Sequence, residues 1–295
     1  MTIDYRILIG EQLTPQRHAE VEQLLQHTFS VINDVYNKWN PNSELSKINR
    51  LKAHVKTPIS PALEGFLLEI QKIVDISDGR FDPTIEPLQE LWKTKLAQQI
   101  VPSEEEINAV LPAIGWHKIH FGNGLFYKDH DFTSIDLGGI AKGYCVDLLV
   151  NALNKAGYAN VYVEWGGEIR ASGKHPDDRP WHIFISRLGD TDPAHAIAHL
   201  DLIDLAIATS GDYLQKWNVS GTTYFHIFDP KAHRPLVSTS GSIASASVMA
   251  SNCAMADGLA TVAMMFSTVE EAEVWTNSVK EEYPDVVFWL YSREK

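Results

Sequence analysis

In the first part of the chain, residues that favour a helix start are followed by apolar residues at helical spacing. After a short apolar strand predicted at 5–9, Thr14 and Pro15 supply an N-cap and a first helical residue. The apolar residues that follow fall on one helical face: Val21, Leu24, Leu25, Ile32, Val35 and Tyr36. The Asn40-Pro41 pair is expected to end this helix, because a residue before proline disfavours the helical conformation.

The same kind of signal predicts two further helices. Ser60-Pro61 opens the next one, and Asp78-Gly79 closes it. Another helix begins at Ser103, where Glu106 completes a capping box.

The second half of the chain is predicted to be richer in strands, most clearly after Gly157. A hairpin is predicted over 119–135 with its turn at 122–124, followed by a helix over 141–156. Later strands are expected at 161–165, 181–185, 206–209, 224–228, 244–249 and 286–291, with helices at 254–266 and 270–279. Because strands and helices do not alternate regularly, the pattern favours an α+β fold over a doubly wound parallel sheet.

Composition and charge exclude several classes of protein. The formal net charge is −13, which argues against general nucleic-acid binding through clustered basic residues. No stretch approaches the roughly 18 apolar residues of a membrane span. The first residues lack the pattern of a signal peptide, so we expect a cytoplasmic protein unless a leader has been removed. Cys145 and Cys253 are interpreted as reduced packing residues.

A strand-to-helix turn at 136–143 is the first place where chemistry could occur. Asp136 and two glycines precede a helix that carries Lys142 in its first turn. A cation there opposes the helix dipole, but a bound phosphate would reverse that penalty. A plain tight turn with a solvated lysine is the alternative.

Asp257 and Thr261 lie four residues apart on a predicted helix and therefore share one face. Both offer oxygen ligands suited to a hard cation such as Mg²⁺. Helix capping by Asp257 and a back-bonded threonine would explain the same residues without a metal.

Four further segments add candidates. The 77–84 loop holds Arg80, Phe81 and Asp82 and could clamp a ligand or simply turn the chain. Small hydroxyl residues at 209–213, including Ser210, could bind phosphate or merely make a turn. His226 and Ile227 lie in an apolar strand, where a histidine is either a core residue or a proton acceptor. Trp39 could stack on a ring system or pack in the core.

Taken together, five segments resemble the FAD:protein FMN transferases of the ApbE family. They read WNPNSELSKIN, SDGRFDPTIEPL, DLGGIAKGYCVD, TSGDY with HIFDP, and ADGLAT, and they extend from Trp39 to Thr261, about three quarters of the chain. The resemblance implies a single α+β domain over residues 1–295, built as two related halves with FAD between them.

The resemblance also implies a role for each matching residue. FAD would be bound by Trp39, Arg80, Phe81, Asp82, Asp136, Lys142, Ser210, His226 and Ile227. A Mg²⁺ ion would take the carbonyl of Gly139 with the side chains of Asp257 and Thr261. His226 is the candidate general base, and Asp257 completes the catalytic set as a metal ligand.

The reaction so implied transfers FMN from FAD to a Thr or Ser hydroxyl of an acceptor protein, with release of AMP. The alternatives are a FAD pyrophosphatase and a flavin-binding protein without turnover. Two positions depart from the family pattern. Lys231-Ala232-His233 replaces a basic residue, a threonine and a glycine, and Thr2-Ile3-Asp4-Tyr5 replaces a Met-Gly-Thr-like start.

Overall fold

A computed structural model describes residues 4–187, 190, 192–212 and 215–293. Thr2 and Ile3 of the departing N-terminal segment lie outside the described residues. No helix in the described ranges has the length and apolar character needed to cross a bilayer.

Eight α-helices are described. They are α1 (Pro15–Val35), α2 (Glu44–Asn49), α3 (Pro61–Ile76), α4 (Glu86–Ala97), α5 (Glu104–Val110), α6 (Ala141–Lys155), α7 (Cys253–Ala263) and α8 (Val269–Glu282). Short 3-10 turns occur at Pro83–Ile85, Leu111–Ala113, Trp116–Lys118 and Pro193–His195.

Fourteen strands are described in the same ranges. They are β1 (Tyr5–Ile9), β2 (Thr57–Pro58), β3 (Ile119–Gly122), β4 (Leu125–Lys128), β5 (Val161–Trp165), β6 (Glu168–Ser172), β7 (Trp181–Ile185), β8 (Ala198–Leu202), β9 (Leu205–Gly211), β10 (Lys216–Val219), β11 (Thr222–Asp229), β12 (Arg234–Val237), β13 (Ile243–Ala250) and β14 (Val287–Ser292).

The main sheet has six strands in the order β1-β5-β6-β9-β13-β14, and every neighbouring pair is antiparallel. Helices α6 and α7 pack against each other and against this sheet, with α6 over β5 and β6 and α7 over β9 and β13. Seven of the eight residues of β13 are buried, which places the largest apolar cluster between α7 and the sheet. The sheet thus supports the two helices that carry the candidate metal and phosphate ligands.

Three smaller sheets flank the main one, in the orders β10-β11-β12, β2-β4-β3 and β7-β8. Helix α4 packs on β10 and β12 through Leu88, Trp92 and Leu96, which are buried at four-residue spacing. This places α4 beside β11, the strand that contains His226.

The predicted α+β class is confirmed, and so are most predicted elements. Thr14, Ser60 and Ser103 each cap a helix through the side-chain oxygen. The hairpin turn lies at Asn123 and Gly124, with φ angles of 53° and 73°, as a two-residue Asn-Gly turn requires. The description as two related halves stays a prediction.

Several predicted boundaries were wrong. Helix α1 ends at Val35, before the Asn40-Pro41 signal, and a short helix that was not predicted, α2, follows. Ser43 caps α2 by accepting a hydrogen bond from the Ser46 amide at 3.1 Å. Helix α4 was not predicted, and α7 ends at Ala263 instead of Phe266.

Candidate active site

A cavity of about 260 Å³ lies where the loop before α6 meets α4, α7, β9 and β11. Ten of the twelve residues predicted for the site line it: Phe81, Asp82, Asp136, Gly139, Lys142, Ser210, His226, Ile227, Asp257 and Thr261. These residues come from segments up to 180 positions apart, 81 to 261. The fold therefore collects most of the predicted set in one place.

Three oxygen atoms lie close together on one wall of this cavity. The Thr261 hydroxyl donates to the Gly139 carbonyl at 3.3 Å, and the Ser210 hydroxyl lies 3.1 Å from the Thr261 hydroxyl. A Cβ at Gly139 would lie 2.9 Å from the Thr261 methyl carbon and 3.0 Å from the Phe81 ring. Glycine is required here because the backbone passes directly over α7.

Asp257 is one helical turn before Thr261 on α7 and is only 3% exposed. One carboxylate oxygen, Oδ2, accepts the Gly143 amide of α6 at 3.0 Å. The other, Oδ1, has no hydrogen-bond partner among the described residues. Burial raises the pKa of Asp257, against the opposing effect of Lys142. Asp257 does not cap the helix, because Asn252 does so through the Met255 amide.

This arrangement fits a hard divalent cation. A carbonyl, a hydroxyl and a carboxylate are the oxygen ligands that Mg²⁺ accepts while keeping waters or phosphate oxygens in its other positions. Within the described ranges, no three His, Cys, Asp or Glu side chains are grouped to hold a metal ion. An ion on this wall would therefore depend on backbone and hydroxyl oxygens beside its one carboxylate.

Lys142, on the cavity wall, is ion-paired with Glu168. Glu168 is buried, and the sequence did not indicate it. The second oxygen of Glu168, Oε2, is buried and makes no hydrogen bond to the part of the chain that the structure describes. Burial raises the pKa of Glu168, and the nearby Asp257 carboxylate raises it further, while Lys142 opposes both. Burial lowers the pKa of Lys142, but Asp257 and Glu168 outweigh it, so Lys142 remains an ammonium.

Helix α7 is fixed at its first turn by Asp147 of α6. The two carboxylate oxygens of Asp147 accept the amides of Cys253 and Ala254, each at 2.9 Å, and Arg170 donates to the same carboxylate at 2.7 Å. A carboxylate at a helix N-terminus is favoured by the helix dipole. Because Asp257 and Thr261 belong to α7, this contact sets their position relative to the loop at 136–139.

Asp136 is held on the cavity wall by two donors. Lys38 donates to its Oδ2 at 2.5 Å and also to Glu86 at 3.0 Å, and the Gly138 amide donates to its Oδ1 at 2.6 Å. The short loop to Gly139 is thereby fixed by its own aspartate, in addition to any role that Asp136 has toward a ligand.

The 77–84 loop contributes Phe81 and Asp82 but not Arg80. Asp82 accepts the Thr84 amide and hydroxyl at 2.9 Å and 2.6 Å, and burial raises its pKa. Arg80 is directed elsewhere, 4.3 Å from the centre of the Phe266 ring. Trp39 also lies off the cavity wall, 83% exposed, with the Lys38 ammonium 5.0 Å from its ring centre.

His226 faces the cavity from β11 and is half-buried. Its Nδ1 atom is buried and has no hydrogen-bond partner within the described ranges. Burial lowers the pKa of His226, a backbone hydrogen bond with Gln215 opposes the shift, and Lys93 lowers it further. The imidazole is therefore neutral at pH 7 and able to accept a proton. Tyr213, in the TSGDY segment, lies outside the described residues.

The departing Lys231-Ala232-His233 segment forms the turn between β11 and β12. The carboxylate of Asp229 accepts the amides of Lys231 and Ala232 at 2.8 Å and 3.2 Å. His233 has a φ of 55°, the left-handed conformation that glycine adopts most easily. Its carbonyl accepts the Trp92 indole N–H at 3.0 Å, which ties the turn to α4. The loop thus keeps a glycine-like backbone without glycine.

A sequence model of the ApbE family matches residues 1–285. The chain belongs to the ApbE family. The family predicted from the five motifs is thus confirmed.

Curated relatives carry the name FAD:protein FMN transferase. The one from Chlamydia pneumoniae is 42% identical over 277 residues, covering 93% of this chain and 85% of the relative. The one from Chlamydia trachomatis is 41% identical over 279 residues, covering 94% and 85%.

Solved structures agree with the fold. The flavin transferase ApbE of Vibrio cholerae has a TM-score of 0.75 at 27% identity, covering 99% of this chain and 97% of its own. The apo flavinyl transferase ApbE of Pseudomonas stutzeri has a TM-score of 0.80 at 25% identity, covering 100% and 92%.

Sequence reasoning missed several residues of this ApbE-family cavity. Gln89 and Lys93 line it from the unpredicted helix α4, and Gln215 lines it from the segment before β10. A signal for α4 existed in the four-residue spacing of Leu88, Trp92 and Leu96. Glu168 follows a pair of glycines at the start of β6, and no local pattern marks its pairing with Lys142.

Proposed function

We propose that this protein transfers FMN from FAD to a Thr or Ser hydroxyl of an acceptor protein and releases AMP, with Mg²⁺ as cofactor. The observation that carries the proposal is the convergence of the Gly139 carbonyl, the Thr261 hydroxyl and Asp257 beside Lys142 in one cavity. The names of the ApbE-family relatives support the choice of FAD as substrate and of a protein as acceptor.

In this proposal Gly139, Asp257 and Thr261 hold the Mg²⁺ ion. When bound, the ion neutralises charge on the diphosphate and makes the phosphorus easier to attack. Gly143 orients the Asp257 carboxylate through its amide, leaving Oδ1 for the metal. Asp147 holds the helix that carries two of the three ligands.

FAD binding is assigned to the remaining cavity residues. Lys142 supplies a positive charge for the diphosphate, with Glu168 fixing its direction. Ser210 offers a hydroxyl, Phe81 and Ile227 offer apolar surface, and Asp82 and Asp136 complete the wall. Trp39 and Arg80, which lie off this wall, stay predictions as FAD ligands.

His226 is assigned as the general base. It accepts the proton of the acceptor hydroxyl while the hydroxyl oxygen bonds to the phosphorus on the FMN side. The bond from that phosphorus to the bridging oxygen breaks, and AMP leaves with the oxygen. A neutral imidazole in a half-buried position is suited to this task, because it needs no prior deprotonation at pH 7.

Incubation with FAD, Mg²⁺ and a Thr-containing acceptor protein distinguishes this function from its two rivals. A transferase yields AMP together with a flavin fluorescence band on the acceptor that survives denaturing electrophoresis. A pyrophosphatase yields AMP and free FMN with no such band, and a binding protein yields no AMP. Either of the last two results, with every acceptor tried, would contradict the proposal.

A further inference from the structure

Two lysines line the cavity in the described part of the chain, and they differ in how their charges are balanced. Lys142 is ion-paired with Glu168. Lys93 makes no ion pair with any described residue, and its one hydrogen bond goes to the neutral amide oxygen of Gln89 at 3.1 Å. An ammonium has three donors, so Lys93 keeps capacity for a ligand.

The position of Lys93 is set by a well-anchored helix. Ile85, Gln89 and Lys93 line the cavity at four-residue spacing and so share one face of α4 and the turn before it. The neighbouring face of α4 is fixed by buried Trp92, whose indole N–H donates to the His233 carbonyl at 3.0 Å. A side chain on such a helix is aimed at the cavity before any ligand arrives.

The positive charge of Lys93 is destabilised by partial burial without an ion-pair partner among the described residues. Burial lowers its pKa, and the partial compensation comes first from the charge of Asp136, with which it makes no contact. Asp136 is already committed to Lys38 and to the Gly138 amide. An anion entering the cavity would restore favourable electrostatics for Lys93, in the way that oppositely charged neighbours stabilise a buried ion.

We propose that Lys93 is a phosphate-binding residue whose ammonium contacts the diphosphate of the dinucleotide in this cavity. The inference rests on the proposed function for the identity of the ligand. The diphosphate would then contact two cations, Lys93 on α4 and Lys142 on α6. The Gln89 side-chain oxygen accepts one hydrogen bond from the Lys93 ammonium and so holds it in place for that contact.

Calorimetric titration with ADP and with adenosine, both in EDTA, tests this contact without turnover and without metal. The variants are Lys93→Met, Lys93→Arg and, as a matched control, Lys95→Met. Lys95 lies on the same helix but is paired with Glu106 and does not line the cavity.

Loss of a charged hydrogen bond predicts that Lys93→Met raises the Kd for ADP roughly tenfold or more, while the Kd for adenosine is unchanged. Lys93→Arg should retain most of the ADP affinity, and Lys95→Met should retain all of it.

Three results would overturn the inference. They are an unchanged Kd for ADP in Lys93→Met, an equal loss for ADP and adenosine, and a wild-type protein that binds ADP no more tightly than adenosine. Failure of the proposed function would give a different result. No acceptor would carry flavin, while Lys93→Met would still lose affinity for ADP and not for adenosine.

Discussion

Replacing Gly143 by alanine tests how closely α6 must approach α7 to place Asp257. A Cβ at this position would lie 2.2 Å from the Cys253 carbonyl oxygen, 2.7 Å from its carbonyl carbon and 2.8 Å from the Asp257 Cβ. Two of these atoms are backbone, so no side-chain rotation relieves the clash. The helices must separate, and the 3.0 Å hydrogen bond from the Gly143 amide to Asp257 must lengthen.

The magnitude follows from two opposing effects. Nonbonded carbon contacts lie at about 3.5 Å, so the separation needed is roughly 1 Å. Overpacking of this kind costs about 1–3 kcal/mol, whereas alanine in place of glycine within a helix gains up to about 1 kcal/mol. We therefore expect Gly143→Ala to lower the free energy of unfolding by about 1–2 kcal/mol and to weaken Mg²⁺ binding.

Urea unfolding followed by circular dichroism measures the stability change, with Gly65→Ala as the matched control. Gly65 is also inside a helix, α3, but an added Cβ there has no atom within 4 Å. The control should therefore be neutral or stabilised by up to about 1 kcal/mol. Equal stability of the two variants, with equal Mg²⁺ affinity, would refute the close approach of α6 and α7.

Two further predictions concern a buried cation and the proposed base. Lys128 is 1% exposed and donates to the carbonyls of Asn49, Asp131 and Thr133, so Lys128→Met should lower the free energy of unfolding in urea by about 3 kcal/mol. The exposed control, Lys52→Met, should lower it by less than about 0.5 kcal/mol. Similar losses for both variants would contradict the role of Lys128. Because burial lowers the His226 pKa below its usual 6.5, kcat/KM for transfer should rise with pH and reach half of its plateau below pH 6.5, and His226→Ala should remove that rise. A half-maximum above pH 6.5 would argue against His226 as the base.

Local signals in the sequence were enough to predict where a helix begins when its own N-cap residue marks the start. Thr14, Ser60 and Ser103 each satisfy a backbone amide within three residues, so the information is contained in a few neighbouring positions. Helix α4 has no side-chain cap: Ile85 occupies that position and the helix continues directly from a 3-10 turn. The polar cap lies before that turn, at Asp82, whose side chain accepts the Thr84 amide, so it is displaced from the first residue of α4.

The candidate site also contains features that local sequence predicts and features that only tertiary contacts create. The spacing of Asp257 and Thr261 predicts that they share a helical face, and α7 confirms it. That Gly139 meets Thr261 depends on a contact between residues 122 positions apart, which only the family resemblance suggested. The pairing of Glu168 with Lys142 depends on tertiary packing alone. The spacing of Leu88, Trp92 and Leu96 indicates helix α4, but only tertiary packing places its Lys93 at the cavity.

The most direct test of the account is the intact mass of an acceptor protein after incubation with FAD and Mg²⁺, using the wild-type protein and Asp257→Asn. Asparagine is chosen because Asp257 is buried and its oxygen accepts the Gly143 amide, an interaction that the amide oxygen can retain. The wild-type protein should add one FMN, less water, to a single Thr or Ser. Asp257→Asn should add none while unfolding at a similar urea concentration. Full flavin incorporation by Asp257→Asn, or an acceptor mass unchanged by the wild-type protein, would contradict it.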